Sequence, residues 1–147
     1  MTNITINTAD FNTFVKGVKN RIQQANTAAL KAVNNELVAL YWQIGKSIVE
    51  KQAQFGWGKS FVKELSNELQ KEFIGARGGS VQNLWNMRLF YLEYQESEKL
   101  HTLSREISWS HNVTLFQKIK DPLVRQFYMQ SAVKHGWSVR ILDHQID

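Results

Sequence analysis

The feature that most limits how this chain can fold is an apolar repeat in its first third. Apolar side chains recur every three or four residues from Phe11 to Ile48, which is the spacing of one face of an α-helix. The pattern predicts a helix over about residues 10–52, with Asp10 as its N-cap and Gly45 as an alternative end. The repeat consists of Phe11, Phe14, Val18, Ile22, Ala25, Ala29, Val33, Leu40, Ile44 and Ile48.

A helix of about 40 residues would be about 60 Å long. A small domain cannot cover an apolar stripe of that length, so part of the stripe should meet another chain or a segment outside this sequence. The sequence therefore predicts self-association, as a homodimer through the long first helix.

The rest of the chain predicts shorter helices, and no segment alternates as a β-strand does. We expect an all-α fold in which the long N-terminal helix precedes a compact helical bundle over about residues 57–147, in one domain of residues 1–147. The bundle should contain a helix-turn-helix-like pair. Its helix boundaries should be Gly58–Ser60, Ser80, Ser108 or Ser110, Asp121 with Pro122, Gly136, and Ser138.

Composition narrows the class of protein. There is no cysteine among the 147 residues, which excludes a disulfide scaffold and a thiolate metal site. No apolar run approaches the roughly 20 residues that cross a bilayer, and the N-terminus lacks a signal-peptide pattern. We therefore expect a cytoplasmic protein. The net charge of +5 permits a nucleic-acid partner without requiring one.

A short phosphate-loop pattern, Gly58-Lys59-Ser60, is better explained as a turn between two helices. A complete phosphate-binding loop needs a further glycine five residues before Gly58, where this chain has Ala53. It also needs a preceding β-strand, whereas the preceding residues have helical spacing. No nucleotide cofactor is predicted.

Catalytic patterns are incomplete. Ser110 and His111 are adjacent, but a catalytic pair normally comes from separate parts of a fold, with a third group that orients the base. The four histidines lack the close spacing of zinc sites, and no acidic residue stands two positions before a lysine, as metal-dependent PD-(D/E)XK nucleases require. We expect neither catalytic nor metal-binding residues within this chain.

A DNA-binding interpretation fits the second and third helices, because the second helix of a helix-turn-helix enters the major groove. Amide side chains near the start of that helix can pair with adenine, and cations or a helix N-terminus can hold phosphates. The predicted base readers are Gln82, Asn83 and Asn86, on a face opposite the apolar one. The predicted backbone contacts are Lys59, Ser60, Arg77, Lys118 and Lys120.

Five motifs resemble the N-terminal domain of YhcG-type proteins and cover nearly all of the chain from about Asn34 onward. They are LYWQIGKSI, GKSFVKELSNELQKEF, NLWNMRLFY, LSREISWSHNVTL and KDPLVRQFYMQSAVKHGWSVRILDHQI. The resemblance implies a bacterial, all-helical domain with a DNA-binding role, usually followed by a PD-(D/E)XK nuclease domain that holds the catalytic residues. The stretch GARGGS departs from the basic-Gly-Phe-Ser turn usual in the family, so a contact by Arg77 is not carried over from it.

Three hypotheses follow. The first is a non-catalytic DNA-binding and dimerisation module of a nuclease, whose catalytic domain lies downstream of Asp147. The second is a protein-interaction module that assembles through the long first helix and does not touch DNA. The third is a hydrolase that uses Ser110 and His111.

Overall fold

The structure is a computed structural model that describes residues 8–75 and 77–147, without the side chain of Arg77. Within these ranges it contains seven α-helices, one 3-10 turn and no strand, so the all-α prediction is confirmed. The 3-10 turn is Arg77–Gly79. The helices are α1 (Thr8–Phe55), α2 (Ser60–Glu72), α3 (Val81–Tyr94), α4 (Glu98–Ser104), α5 (Trp109–Lys118), α6 (Pro122–His135) and α7 (Val139–Ile146).

Contacts divide the chain into two units, and the boundary lies inside α1 between Val33 and Asn34. The first unit contains the part of α1 up to Val33, and its large apolar side chains are exposed: Phe11, Phe14, Ile22, Leu30 and Val33. The second unit, residues 34–147, contains the hydrophobic core. The organisation as one domain stays a prediction.

Two expectations about the ends of α1 need correction, namely the N-cap at Asp10 and the alternative end at Gly45. The helix begins at Thr8, so Asp10 lies in its first turn and is not its N-cap. It also continues through Gly45. A Cβ atom at Gly45 would lie 2.7 Å from the carbonyl carbon of Met87 and closer still to its oxygen. Glycine at this position therefore permits a close approach between the backbones of α1 and α3, and it does not end the helix.

The core of the second unit has two clusters, and α3 contributes to both. Leu84 and Met87 pack with Tyr41, Ile48 and Val62 on the side of α1 and α2. The other cluster joins α3 to the last three helices through Phe90, Tyr94, Leu115, Phe116, Met129 and Leu142. The central helix of the bundle is therefore α3, which fixes the position of any group on its surface.

The predicted helix boundaries are confirmed in most cases. The side chains of Ser80, Ser108, Asp121 and Ser138 each accept a backbone hydrogen bond at the start of a helix. Gly136 ends α6 with φ of 63°, in the left-handed region that favours glycine. The sequence analysis missed α4, which has seven residues. Such a helix is too short to show a clear apolar repeat.

Candidate nucleic-acid interface

The two glycines just before α3, Gly78 and Gly79, are held by close packing. The Oγ atom of Ser66, which is buried on α2, donates to the carbonyl oxygen of Gly79 at 2.7 Å. A side chain at Gly78 would collide with the hydroxyl of Tyr41. Ser80 then begins α3, because its Oγ accepts from the backbone N–H of Asn83 at 3.1 Å. The predicted helix pair is present, and its second helix starts at a fixed place.

Lys59 and Ser60 lie at the start of α2, where the sequence predicted a helix start. Lys59 occupies the N-cap position, Ser60 is the first residue of α2, and both are exposed. The segment that precedes them is the end of α1, not a β-strand. A phosphate-binding loop follows a strand, so the interpretation as a turn between helices is confirmed.

The predicted exposure of Asn83 is wrong. Its Nδ2 donates to the carbonyl oxygen of Gly78 at 2.9 Å, and its Oδ1 accepts from Nε1 of Trp109 at 2.7 Å. The side chain is half-buried. It therefore joins the glycine-rich turn to α5, and both ends of its amide are already bonded inside the domain.

Asn86 is buried, and this also contradicts the predicted exposed face. Its Oδ1 accepts from Nε2 of Gln82 at 3.4 Å and from Nε2 of Gln117 at 3.1 Å. Gln82 and Gln117 are exposed. We call these three residues the amide cluster. It presents two glutamines at the surface over a buried asparagine, so that Gln82 alone of the three predicted readers is exposed.

Gln117 is the member of the amide cluster that the sequence analysis missed. It lies on α5, 31 residues after Asn86. Its contact depends on how α5 packs against α3, and no local motif reports that packing. The signal for Gln117 in the sequence is its position as an amide next to Lys118, a predicted phosphate contact.

The predicted cations differ in whether their charge is already paired inside the domain. Lys118 donates to the carboxylates of Asp143 and Asp147, and the hydrogen bond to Asp143 raises the pKa of Lys118 above its ordinary value. Its charge is therefore matched within the domain, which the sequence analysis did not anticipate. Lys120 is exposed. The side chain of Arg77 lies outside the described residues.

Arg125 belongs to the basic C-terminal part of the sequence, yet it is buried. Its guanidinium donates to Glu93 at 3.1 Å, to the carbonyl oxygen of Phe116 at 3.2 Å, and to that of Ile119. Only 1% of the residue is exposed. A buried arginine is stable when its charge is paired and its N–H groups are bonded. Arg125 therefore stabilises the bundle and is not part of a basic surface.

Both ring nitrogens of His111 are occupied away from Ser110. Its Nδ1 accepts from the backbone N–H of Ser108 at 3.3 Å, and its Nε2 lies 2.7 Å from the carbonyl oxygen of Trp137. These contacts fit a ring that accepts at Nδ1 and donates at Nε2. His111 and Ser108 form a capping box at the start of α5. The arrangement favours the structural interpretation of this pair.

The described residues contain no group of three or more histidine, aspartate or glutamate side chains that could hold a metal ion. Within the same ranges, no helix is both long enough and apolar enough to cross a membrane. The described polar groups near the start of α3 are the hydroxyl of Ser80 and the amides of Gln82 and Asn83, which can bind by hydrogen bonds.

The fold and these contacts define an all-helical structure built around one central helix, with amide side chains in the first turns of that helix. Comparison with known families identifies its kind. The chain belongs to the DUF1016 N-terminal domain family, whose model matches residues 17–147. The resemblance to YhcG-type N-terminal domains is therefore confirmed.

A curated relative is the Escherichia coli K12 protein named "Putative nuclease YhcG". The two sequences are 30% identical over an alignment 172 residues long, which covers 95% of this chain and 45% of the relative. The chain thus spans less than half of that protein's length. No solved structure matches the chain significantly.

Proposed function

We propose that this chain is a DNA-binding and self-associating module of a bacterial nuclease, and that the catalytic domain is a separate, covalently linked part of the full-length protein. Membership of the DUF1016 N-terminal family and the name of the E. coli relative support the link to a nuclease. The match to 45% of that relative supports a further domain. DNA as the partner implies that the protein acts in the cytoplasm.

The observation that carries the DNA-binding part is the exposed amide of Gln82 at the start of α3. One of its N–H groups donates to Asn86. Its second N–H and its carbonyl oxygen are the donor and acceptor that adenine requires in the major groove. The bond to Asn86 limits the rotation of Gln82, and a base reader held in place loses less conformational entropy on binding.

We assign the phosphate contacts to Lys59, Ser60 and Lys120, whose side chains are exposed, and to Arg77 as the sequence predicts. Lys118 contributes less, because Asp143 and Asp147 already match its charge. Asn83 and Asn86 position the surface. Gln117 joins Gln82 as a candidate reader.

Fluorescence anisotropy with duplex DNA over a series of salt concentrations tests the proposal. We expect binding that weakens as salt rises, and a slope of log affinity against log salt that falls by roughly one in Lys59→Ala or Lys120→Ala. Lys71→Ala is the matched control, because the ammonium group of Lys71 is paired with Glu68 at 3.3 Å. Gln82→Ala should cost about 1–3 kcal/mol on a preferred site and little elsewhere.

Absence of salt-sensitive binding by the folded wild-type chain would leave the protein-interaction module as the better function. That alternative has its own observation, since five large apolar side chains of the first unit are exposed. Surfaces of this kind are interaction sites.

The isolated chain should also be non-catalytic. We expect no cleavage of plasmid DNA in the presence of Mg²⁺ or Mn²⁺. Cleavage that survives repurification and is abolished by a substitution in this chain would contradict the proposal. A serine-reactive probe tests the hydrolase hypothesis. Labelling of Ser110 by the probe would support that hypothesis and contradict the proposal.

A further inference from the structure

An apolar groove crosses the surface of the second unit between α1 and α2. Both helices contact α3, which forms its floor. Two cavities of about 180 and 350 Å³ lie along the groove, and Ile44 lines both. Leu40, at one end, is 52% exposed, and Phe73, on the other wall, is 58% exposed. The groove is defined by Leu40, Ile44, Ile48, Phe61, Leu65, Leu69, Phe73, Leu84 and Met87.

The shape and chemistry of the groove suit an amphipathic helix. Phe61, Leu65, Leu69 and Phe73 follow one another at four-residue intervals, so they form a continuous apolar wall along α2. An amphipathic helix places its apolar face in such a groove through side chains at helical spacing.

One rim of the groove is acidic. Glu64, Glu68 and Glu72 repeat every four residues beside the apolar wall. Glu64 and Glu68 line a common depression with Phe61, Leu65 and Lys71. The ammonium group of Lys71 lies 3.3 Å from Glu68, so this rim carries three acids and one base. A helix in the groove would therefore be favoured by positive charge along the edge of its apolar face.

The first unit has the complementary properties. Residues 8–33 contain four bases and one acid, which gives a net charge of +3. The apolar stripe of this segment is exposed at Phe11 and Ile22. In a helix, Lys19 and Arg21 fall on opposite edges of that stripe. Either orientation in the groove would bring one of them towards the acidic rim.

We propose that residues 8–33 of one copy bind in the groove of a second copy, so that two chains exchange their N-terminal segments reciprocally. A reciprocal exchange forms a closed dimer with two equivalent contacts. The proposal rests on the self-association part of the proposed function and specifies the contact.

Disulfide cross-linking between two different single-cysteine variants tests the contact, because the natural sequence has no cysteine. One variant carries Val15→Cys, Ile22→Cys or Ala29→Cys on the apolar stripe, and the other carries Leu69→Cys in the groove. We expect oxidation of a mixture of the two 147-residue variants to give a mixed disulfide in at least one of these combinations. Asn20→Cys and Lys63→Cys, on the opposite faces of their helices, are the matched controls.

Three outcomes would overturn the proposal and separate it from the proposed function. Disulfides between stripe cysteines alone would mean that α1 pairs with itself, which leaves a dimer without the groove. An intrachain disulfide in a doubly substituted chain, without any mixed disulfide, would mean that the segment occupies its own groove. A monomeric wild-type chain would remove self-association altogether, while the anisotropy experiment would still decide DNA binding.

A second variant avoids the risk of disturbing the core. Ile22→Asp places a charge on the exposed stripe of the first unit, and Asn20→Asp places the same charge on the opposite face. Light scattering at micromolar concentration should show Ile22→Asp shifted to monomer and Asn20→Asp unchanged as a dimer. Equal dimer content in the two variants would contradict the proposal.

Discussion

Asn83 offers the sharpest test of the proposal that some polar groups near the start of α3 build the surface while others contact DNA. Its amide joins three parts of the second unit, because it bonds Gly78 in the turn and Trp109 on α5 while lying on α3. Substitution by alanine removes both bonds at once. It also leaves the N–H of Trp109 and the carbonyl of Gly78 to find other partners in a half-buried site.

The expected loss of stability follows from these two bonds. A typical intramolecular hydrogen bond contributes about 0.5–1.5 kcal/mol net, and a buried group left without a partner costs about 1–3 kcal/mol. Because the site is half-buried, water can reach part of it and reduce the penalty. We expect Asn83→Ala to lower the free energy of unfolding by about 2–3 kcal/mol. Gln82→Ala, at an exposed position on the same helix, should change it by less than about 0.5 kcal/mol.

Urea denaturation followed by circular dichroism, with anisotropy on the same samples, separates stability from binding. Asn83→Ala should be less stable and, wherever it is still folded, should weaken binding equally on all DNA sequences. Gln82→Ala should keep its stability and should weaken binding to a preferred DNA sequence more than to other sequences. The reasoning fails if Asn83→Ala keeps full stability and loses binding to one preferred sequence.

Substitutions at Gly45, Arg125 and Tyr94 test the packing, the first two with control substitutions at Gly17 and Arg140. Gly45→Ala should destabilise the second unit by about 1–3 kcal/mol through the collision with α3, whereas Gly17→Ala, which meets open space, should stabilise its helix by about 0.5–1 kcal/mol in thermal melts. Arg125→Met should cost about 2–4 kcal/mol in urea denaturation, because it leaves the buried carbonyl oxygens of Phe116 and Ile119 without this donor, while Arg140→Met at an exposed position should cost little. Burial raises the pKa of Tyr94 to about 12, above the unfolded value near 10, so its contribution to stability is complete below pH 10 and declines as pH rises towards 12. Tyr94→Phe should remove that decline and should not destabilise the protein at pH 7, since the hydroxyl has no hydrogen-bond partner among the described residues.

Helix identity was readable from the sequence because local signals agreed with the final fold. Ser80, Asp121 and Gly136 act on backbone groups within a few residues, so their roles depend little on distant packing. Gly45 shows the limit of such signals. A glycine in a helical repeat is compatible with a helix end or with a close contact, and only the position of Met87 distinguishes the two.

The candidate interface was less predictable, because exposure on a helix depends on every helix that packs around it. The apolar positions of α3 suggested that Asn83 and Asn86 face solvent. Helix α3 is central, however, so α5 covers part of the face that would be open in a simple helix pair. The exposure and pairing of charged residues are equally hard to predict. Lys118 and Arg125 both belong to a basic stretch of the sequence, and only the structure shows their acidic partners.

The phosphate contacts proposed for one copy are few, which gives the proposed self-association a role in the proposed DNA binding. Lys59, Arg77 and Lys120 are the cationic phosphate contacts proposed for one copy, and each of them adds about −0.9 to the slope of log affinity against log salt. One copy should therefore give a slope of about −2.7, which corresponds to weak binding, and a dimer that engages both copies should give about −5. Anisotropy on long duplex DNA with the wild type and with monomeric Ile22→Asp measures both values. Equal slopes, with the wild type dimeric under the same conditions, would mean that the second copy makes no phosphate contacts and that self-association serves another purpose.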